Sequence, residues 1–170
     1  RILYCYPEEI TEELIRTIRD NPKVVHYLDI PIQHASDKIL KNMHRRTREA
    51  ELRERIATLR REIPDIALRT TLITGFPGET EEDFDILKNF VTEMRFDRLG
   101  VFPYSQEEDT PAAEMEGQVP EKIKLQRQDE IMRLQQGIAF EKAREQIGRE
   151  LRVIIIGYDP EHNECLCRSY

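Results

Sequence analysis

Short apolar segments typical of β-strands alternate with segments of helical periodicity over residues 1–104 of this chain. The four strand-like segments are Ile2–Tyr6, Val24–Ile32, Ile66–Thr74 and Leu99–Tyr104. Strands that alternate with helices in this way pair in parallel and are joined by right-handed crossovers. The sequence therefore predicts an α/β fold with four parallel strands, which form either half of an eight-stranded (βα) barrel or an open sheet.

The helices between these strands have recognisable start signals. Thr11 is predicted to cap the first helix, Ser36 is predicted to cap a short second one, and Thr47 is predicted to open a third that ends at Pro64. Thr80–Asp83 has the spacing of a capping box at the start of the fourth helix.

The pattern changes after Tyr104. The elements predicted there are an acidic, turn-rich segment (Ser105–Gly117), a long helix (Pro120 to about Ile147) and two strands (Leu151–Ile156 and Cys165–Ser169). Two strands do not make a stable domain, and the chain begins with Arg1 inside an apolar run. We therefore expect the chain to be a piece of a longer protein.

Three cysteines, Cys5, Cys165 and Cys167, are too few and too scattered for a disulfide framework, which indicates a reducing cytoplasm. No second Cys or His pair lies at ligand spacing from Cys165 and Cys167, so the pattern favours packing over metal binding. No apolar run approaches the roughly 20 residues that a membrane span needs.

The net charge of −7 is unevenly distributed. Residues 41–61 contain eight basic and three acidic residues, whereas residues 79–116 contain twelve acidic and three basic residues. This balance argues against affinity of the whole chain for nucleic acid, which requires a basic surface. A solvated helix face explains the basic stretch, and the acidic stretch is either solvated surface or a surface that steers a basic partner.

Polar residues lie near the ends of the second and third predicted strands, where parallel α/β folds bind ligands. Side-chain alternation places Asp29 and Gln33 on one face of the second strand, and Arg69 and Thr71 on one face of the third. A charged arginine inside a strand needs a carboxylate partner or a ligand. Asp29 is the candidate within the chain, and a substrate or cofactor carboxylate is the other candidate. Both stay open.

The turn Gly75–Glu79 follows the third strand and contains two glycines that allow a ligand to approach the backbone closely. The helix that follows begins with several carboxylates, which argues against a phosphate site and leaves room for a neutral or cationic ligand. An ordinary capped helix behind a tight turn explains the same residues. On the fourth strand, alternation places Phe102 and Tyr104 on the face of Gly100, where they either stack on a purine or fill the core.

Three motifs together resemble the radical S-adenosylmethionine (SAM) methylthiotransferases. They are Leu28-Asp-Ile-Pro-Ile-Gln-His34, Leu68-Arg-Thr-Thr-Leu-Ile-Thr-Gly-Phe-Pro-Gly-Glu79 and Gly100-Val-Phe-Pro-Tyr-Ser105. The pair Gln33-His34, the run Arg69-Thr70-Thr71 and the acidic Gln106–Thr110 resemble the branch that modifies an aspartate of a small-subunit ribosomal protein.

The resemblance implies two cofactors, SAM and [4Fe–4S] clusters. In such enzymes reductive cleavage of SAM gives a 5′-deoxyadenosyl radical that abstracts hydrogen from the aspartate β-carbon, to which a methylthio group is then delivered. The residues that the resemblance assigns to the SAM pocket are Gln33, His34, Arg69, Thr71, Gly75, Phe102 and Tyr104. A basic small-subunit ribosomal protein is the implied partner.

The resemblance also implies the domain organisation. Residues 1–117 correspond to the last four strands of a radical SAM half-barrel, residues 118–148 to a connecting helix, and residues 149–170 to the start of a β-barrel TRAM domain with possible RNA contact. The family's CxxxCxxC cluster motif does not occur in the sequence, so we expect this chain alone to bind no cluster and to be inactive. Two alternatives are a tRNA-modifying methylthiotransferase and a non-catalytic α/β interaction module.

Overall fold

Residues 1–169, which the computed structural model describes, form six α-helices and five β-strands. The helices are α1 (Glu12–Asp20), α2 (Asp37–Asn42), α3 (Glu49–Glu62), α4 (Glu81–Met94), α5 (Pro111–Glu114) and α6 (Glu121–Arg144). The strands are β1 (Tyr27–Asp29), β2 (Ala67–Thr74), β3 (Arg98–Pro103), β4 (Ile154–Asp159) and β5 (Glu164–Arg168).

Strands β1, β2 and β3 form a parallel sheet in chain order, which confirms the predicted α/β class. In its register Asp29 lies opposite Arg69, and Arg69 lies opposite Arg98 on the other side. Further along, Thr71 lies opposite Gly100. The polar residues predicted on the second and third strands, Asp29 and Arg69, therefore lie opposite each other across the sheet.

The first of the four predicted parallel strands, Ile2–Tyr6, does not form over most of its length, so that prediction was wrong there. Only Ile2 forms a bridge, with Leu28 of β1, to which the bond from Asp29 N to Ile2 O belongs. Cys5 N makes a separate bond to Asp29 O. Tyr4 has a φ of 58°, a left-handed conformation that interrupts the extended backbone. The segment therefore touches the edge of β1 without extending the sheet.

The two faces of the three-stranded sheet differ in burial. Along β2 the residues alternate between buried and half-buried, with Leu68, Thr70, Leu72 and Thr74 on the buried side. Leu68 and Leu72 pack in one apolar core with residues of α1, α3, α4 and α6, among them Ile18, Ile56, Phe84 and Ile131. We call the opposite face, which carries Arg69, Thr71 and Ile73, the open face.

The helix start signals are confirmed at Thr11 and Thr80. Ser36 lies at the N-cap of α2 but makes no capping bond, because its hydroxyl donates to Asp83 Oδ1. The Thr11 hydroxyl accepts a hydrogen bond from Leu14 N, and Thr80 and Asp83 exchange both bonds of a capping box. Helix α3 begins one residue later than predicted, with Arg48 at its N-cap, because the Thr47 hydroxyl donates to the Glu8 carboxylate instead.

The C-terminal part consists of α6 and an antiparallel hairpin of β4 and β5. Helix α6 contacts β3, β2 and α4, and it buries Ile131 and Ile138 in the core. The hairpin leaves large apolar side chains exposed, among them Ile154, Ile155, Ile156, Tyr158 and Leu166. Within residues 1–169 there is no helix with the length and apolar character of a membrane span.

Candidate functional site

An ion pair lies at the centre of the open face. The Arg69 guanidinium donates from Nη1 to Asp29 Oδ2 at 2.7 Å. Asp29 is 2% exposed, whereas the Arg69 side chain is 33% exposed. The carboxylate partner expected for a mid-strand arginine is therefore Asp29, and the guanidinium still faces solvent with part of its donors.

The second oxygen of that carboxylate is unsatisfied. Asp29 Oδ1 is buried and has no hydrogen-bond partner among the described residues. A buried oxygen without a donor is costly, and native structures leave few of them. Asp29 Oδ1 is therefore an available acceptor for a hydroxyl or ammonium donor.

The end of the predicted second strand departs from regular alternation. Asp29 pairs with Arg69 and Gln33 with Leu72, so the segment that contains Pro31 has one residue more than the β2 segment opposite. Gln33 adopts a φ of 70°, and its backbone bonds to Thr71 O and to Ile73 N. The expected common face of Asp29 and Gln33 is thus replaced by a bulge that places Gln33 at the tip of the sheet, half-buried.

The two aromatic residues of the fourth strand lie in different surroundings, contrary to the prediction. Phe102 is 57% exposed, and its ring lies beside Gly100. Tyr104 is buried and meets Phe76 edge-on, with 5.2 Å between the ring centroids. The reason is that β3 ends at Pro103, so Tyr104 no longer follows the alternation of the strand.

The close backbone approach at Gly75 is made by the protein itself. Gly75 has a φ of 72°, and a Cβ there would lie 2.3 Å from Lys124 Cγ of α6. The Lys124 ammonium donates a hydrogen bond to the Tyr104 carbonyl oxygen at 2.9 Å. The prediction that a ligand uses this space is therefore corrected, because a helix side chain fills it.

His34 is fully buried on the helix side of the sheet tip. Its Nδ1 accepts the Ser36 N–H at 2.9 Å, and its Nε2 lies 3.3 Å from Glu79 Oε2. Because Nδ1 acts as an acceptor, the ring proton is assigned to Nε2, which makes no hydrogen bond within residues 1–169 although the Glu79 carboxylate lies beside it. His34 therefore contacts protein groups at a buried carboxylate rather than the open face.

The carboxylates at the start of α4 are also satisfied internally. Glu79 and Glu81 accept from Arg127, and Asp83 accepts from Lys38, Ser36 and Thr80. Lys38 and Arg127 therefore occupy the positions at these carboxylates where the sequence allowed a cationic ligand.

Burial alone would raise the pKa of Asp83, but hydrogen bonds from Lys38, Ser36 and Thr80 hold it far below the ordinary value of 3.8. A carboxyl with a depressed pKa adds stability above its unfolded-state pKa, and this stability is lost as the pH falls. We expect Asp83→Asn to lower the free energy of unfolding at pH 7 by about 2 kcal/mol, and by less at pH 3. Urea titrations at both pH values measure this.

Asp85→Asn is the matched control, since Asp85 is an exposed carboxylate of the same helix paired with Lys88. Its effect should stay within about 0.5 kcal/mol, as for other surface pairs. Equal losses for Asp83→Asn at pH 7 and pH 3 would contradict the pKa assignment.

The structure thus divides the seven predicted site residues into two groups. Arg69, Thr71 and Phe102 belong to the open face and Gln33 to its tip. His34 and Tyr104 are buried, with Tyr104 near Phe76 and the open-face residue Ile73, and Gly75 lies against Lys124. The unpaired Asp29 Oδ1 could not be predicted from the sequence, because no sequence signal distinguishes a half-satisfied carboxylate. Arg127 and Lys124 could not be predicted as buried residues either. They lie on the charged helix α6, and only its packing against the sheet buries them.

Residues 1–169 include no group of three or more His, Cys, Asp or Glu side chains arranged to hold a metal ion. Cys5 is half-buried, and Cys165 and Cys167 are exposed on the distant hairpin. The donor set of this chain therefore does not fit an iron–sulfur cluster.

Sequence relatives agree with the resemblance of the three motifs. A ribosomal protein uS12 methylthiotransferase RimO from Lachnoclostridium phytofermentans is 62% identical over 170 residues, which is 100% of this chain and 39% of that protein. The corresponding protein of Geobacter sulfurreducens is 58% identical over 95% of this chain and 36% of its own length. The chain thus spans less than half the length of these relatives.

Solved structures agree on the fold. Coproporphyrinogen III oxidase (HemN) from Escherichia coli, described as a radical SAM enzyme, matches 84% of this chain and 32% of its own, with a TM-score of 0.62 and 24% identity. The archaeal Elp3 of Methanocaldococcus infernus matches 66% of this chain and 26% of its own, with a TM-score of 0.55 and 16% identity.

The family model described as the radical SAM superfamily matches residues 2–91. This segment contains the Asp29–Arg69 pair, the tip at Gln33 and the turn after β2. The chain therefore belongs to the radical SAM superfamily.

Proposed function

We propose that this chain contributes the SAM-binding open face of a methylthiotransferase, and that the longer protein methylthiolates the β-carbon of an aspartate in ribosomal protein uS12. The observation that carries the proposal is the Asp29–Arg69 pair on the open face, with one unsatisfied carboxylate oxygen and a partly exposed guanidinium. Identity of 62% to a protein named for this activity supports the choice of reaction.

The donor set of the open face fits the functional groups of SAM. The remaining Arg69 donors suit its carboxylate, because a guanidinium binds carboxylates in a planar fork. Asp29 Oδ1 suits its ammonium or a ribose hydroxyl, both of which are donors. The exposed ring of Phe102 beside Gly100 suits a flat purine, and Gln33 and Thr71 add neutral polar groups at the rim.

The chain's own residues would bind and orient SAM and exclude water from one side of it. Cysteines of the longer protein would hold a [4Fe–4S] cluster, which would supply reducing power for SAM chemistry. Cys5, Cys165 and Cys167 would not be its ligands. Because their contacts are with protein groups, His34, Gly75 and Tyr104 would support the pocket rather than line it.

The protein substrate would meet the acidic segment after β3. Glu107, Glu108, Asp109, Glu114 and Glu116 are all exposed there, which suits a basic ribosomal protein because complementary charge steers association. Residues 1–117 would be the barrel part, residues 118–148 the connecting helix, and residues 149–170 the start of a TRAM domain with RNA contact in a cytoplasmic enzyme. The exposed apolar side chains of the hairpin support a further packing layer at that end.

Mass spectrometry tests the substrate directly. The full-length protein, reconstituted with its clusters and given SAM, a reductant and a sulfide source, is incubated in parallel with small ribosomal subunits and with tRNA. We expect the mass increase of one methylthio group on a uS12 aspartate and no modified nucleoside. Modification of tRNA alone would establish the tRNA-modifying alternative, and absence of SAM cleavage in either reaction would favour the non-catalytic module.

A further inference from the structure

One buried carboxylate contacts three separate parts of the fold. Glu79 Oε2 accepts the Gly75 N–H at 2.9 Å and lies 3.3 Å from His34 Nε2. Glu79 Oε1 accepts from Arg127 Nη1 of α6 at 2.7 Å. The Glu79 side chain is fully buried. The tips that follow β1 and β2 and the long helix α6 therefore meet at a single group.

Both tips have left-handed backbone conformations, but only the one at Gln33 needs support, because a glycine adopts positive φ readily. Gln33, which precedes His34, has a φ of 70°, and Gly75 has a φ of 72°. A left-handed conformation is unfavourable for a residue with a Cβ such as Gln33, and it persists only where surrounding contacts hold it. The contact of His34 with Glu79 lies one residue from the strained position.

Arg127 compensates the charge that this arrangement buries. Its side chain is almost fully buried, stacks over the Phe84 ring and also reaches Glu81 Oε2 at 3.1 Å. A buried carboxylate without a cation is strongly unfavourable. Helix α6, which lies outside the matched family segment 2–91, thus supplies the cation that contacts Glu79 between the tips.

We propose that Glu79 is a positioning residue, which together with Arg127 fixes the tips at Gln33 and Gly75 and thereby sets the shape of the SAM pocket. The proposal rests on the SAM-binding role given to the open face above. It assigns α6 a part in ligand affinity although α6 packs on the opposite side of the sheet, because Arg127 acts on the pocket only through Glu79.

The test uses the cluster-loaded full-length protein. Glu79→Gln keeps the size and one acceptor but removes the charge, and Arg127→Met removes the cation while keeping an unbranched apolar side chain. Glu81→Gln is the control, because Glu81 contacts the same arginine but neither tip. Two quantities are measured for each variant: the dissociation constant for SAM, and the hydrogen-exchange rates of peptides that cover residues 33–36 and 74–79.

We expect Glu79→Gln and Arg127→Met each to weaken SAM binding about tenfold, the scale on which residues that orient ligand-binding groups act. Exchange should become faster in both peptides. The double variant should bind no more weakly than Glu79→Gln alone, since both changes act through one contact, and Glu81→Gln should bind like the wild type.

Unchanged SAM affinity in Glu79→Gln with faster exchange at both tips would overturn the positioning role, because the tips would then move without effect on the pocket. Additive losses in the double variant would also overturn it. If the wild-type protein itself bound no SAM, the proposed function would fail, and unchanged exchange at residues 33–36 in Glu79→Gln would then separately refute the contact between Glu79 and the tips.

Discussion

Replacement of Arg69 by methionine is expected to lower the free energy of unfolding by about 3 kcal/mol, because it leaves the Asp29 carboxylate buried without its cation. Asp29 is 2% exposed, and its Oδ1 already lacks a partner among residues 1–169. A carboxylate with no donor at either oxygen has no means of compensating its lost hydration. Urea unfolding of the 170-residue chain at pH 7 measures the loss.

The double variant Asp29→Asn/Arg69→Met separates the two roles that the sequence left open for Arg69. With both charges removed, most of the lost stability should return. SAM binding by the cluster-loaded full-length protein should stay weak in the double variant, because the cation for the ligand carboxylate is missing. Recovery of both stability and SAM affinity would mean that Arg69 serves only the ion pair.

Replacement of Gly75 by alanine is expected to be strongly destabilising for two separate reasons. A φ of 72° disfavours any residue with a Cβ by about 1–2 kcal/mol. The new methyl group would also lie 2.3 Å from Lys124 Cγ and 3.0 Å from Lys124 Cβ, which are near the backbone of α6 and cannot swing away freely. Overpacking adds roughly 1–3 kcal/mol, so we expect a total near 3 kcal/mol.

Gly78→Ala is the matched control in the same turn. Gly78 has a φ of 81°, but a Cβ there would meet only Asn42 Nδ2 at 3.7 Å, an ordinary contact. The loss in free energy of unfolding for Gly78→Ala should therefore be limited to the cost of the left-handed backbone conformation, about 1–2 kcal/mol. Urea unfolding of both variants measures the difference, and equal losses at the two positions would contradict the packing of Lys124 against Gly75.

The sequence predicted best those features that depend on local periodicity. The alternation along β2 gave the correct faces for Leu68, Arg69, Thr71 and Leu72, since one side of a strand must be apolar to pack on helices. The capping box at Thr80 was equally accessible, because its residues contact each other within one turn. Both features are fixed by neighbours in the chain.

The errors occurred where backbone geometry departs from the regular pattern. The bulge around Pro31 and the left-handed Gln33 altered the register of the second strand. Because β3 ends at Pro103, the Tyr104 ring packs against Phe76 and does not lie beside Phe102. Such one-residue shifts reverse the face of every following side chain, and their cause lies in pairing with a distant strand.

The roles of Glu79, Lys124 and Arg127 required the tertiary structure. Arg127 and Glu79 are separated by 48 residues, and Lys124 reaches a strand tip 50 residues away through its carbonyl. In sequence these residues resemble a solvated helix face and an acidic turn. Their burial follows only from the packing of α6 across β2 and β3.

A crystal structure of the cluster-loaded full-length protein with bound SAM is the most direct test of the claim that the open face forms the pocket. We expect the SAM carboxylate to lie at the Arg69 guanidinium, a donor of SAM to reach Asp29 Oδ1, and the purine to lie near Phe102. A ligand bound away from these side chains, with Asp29 Oδ1 still unpaired, would contradict it.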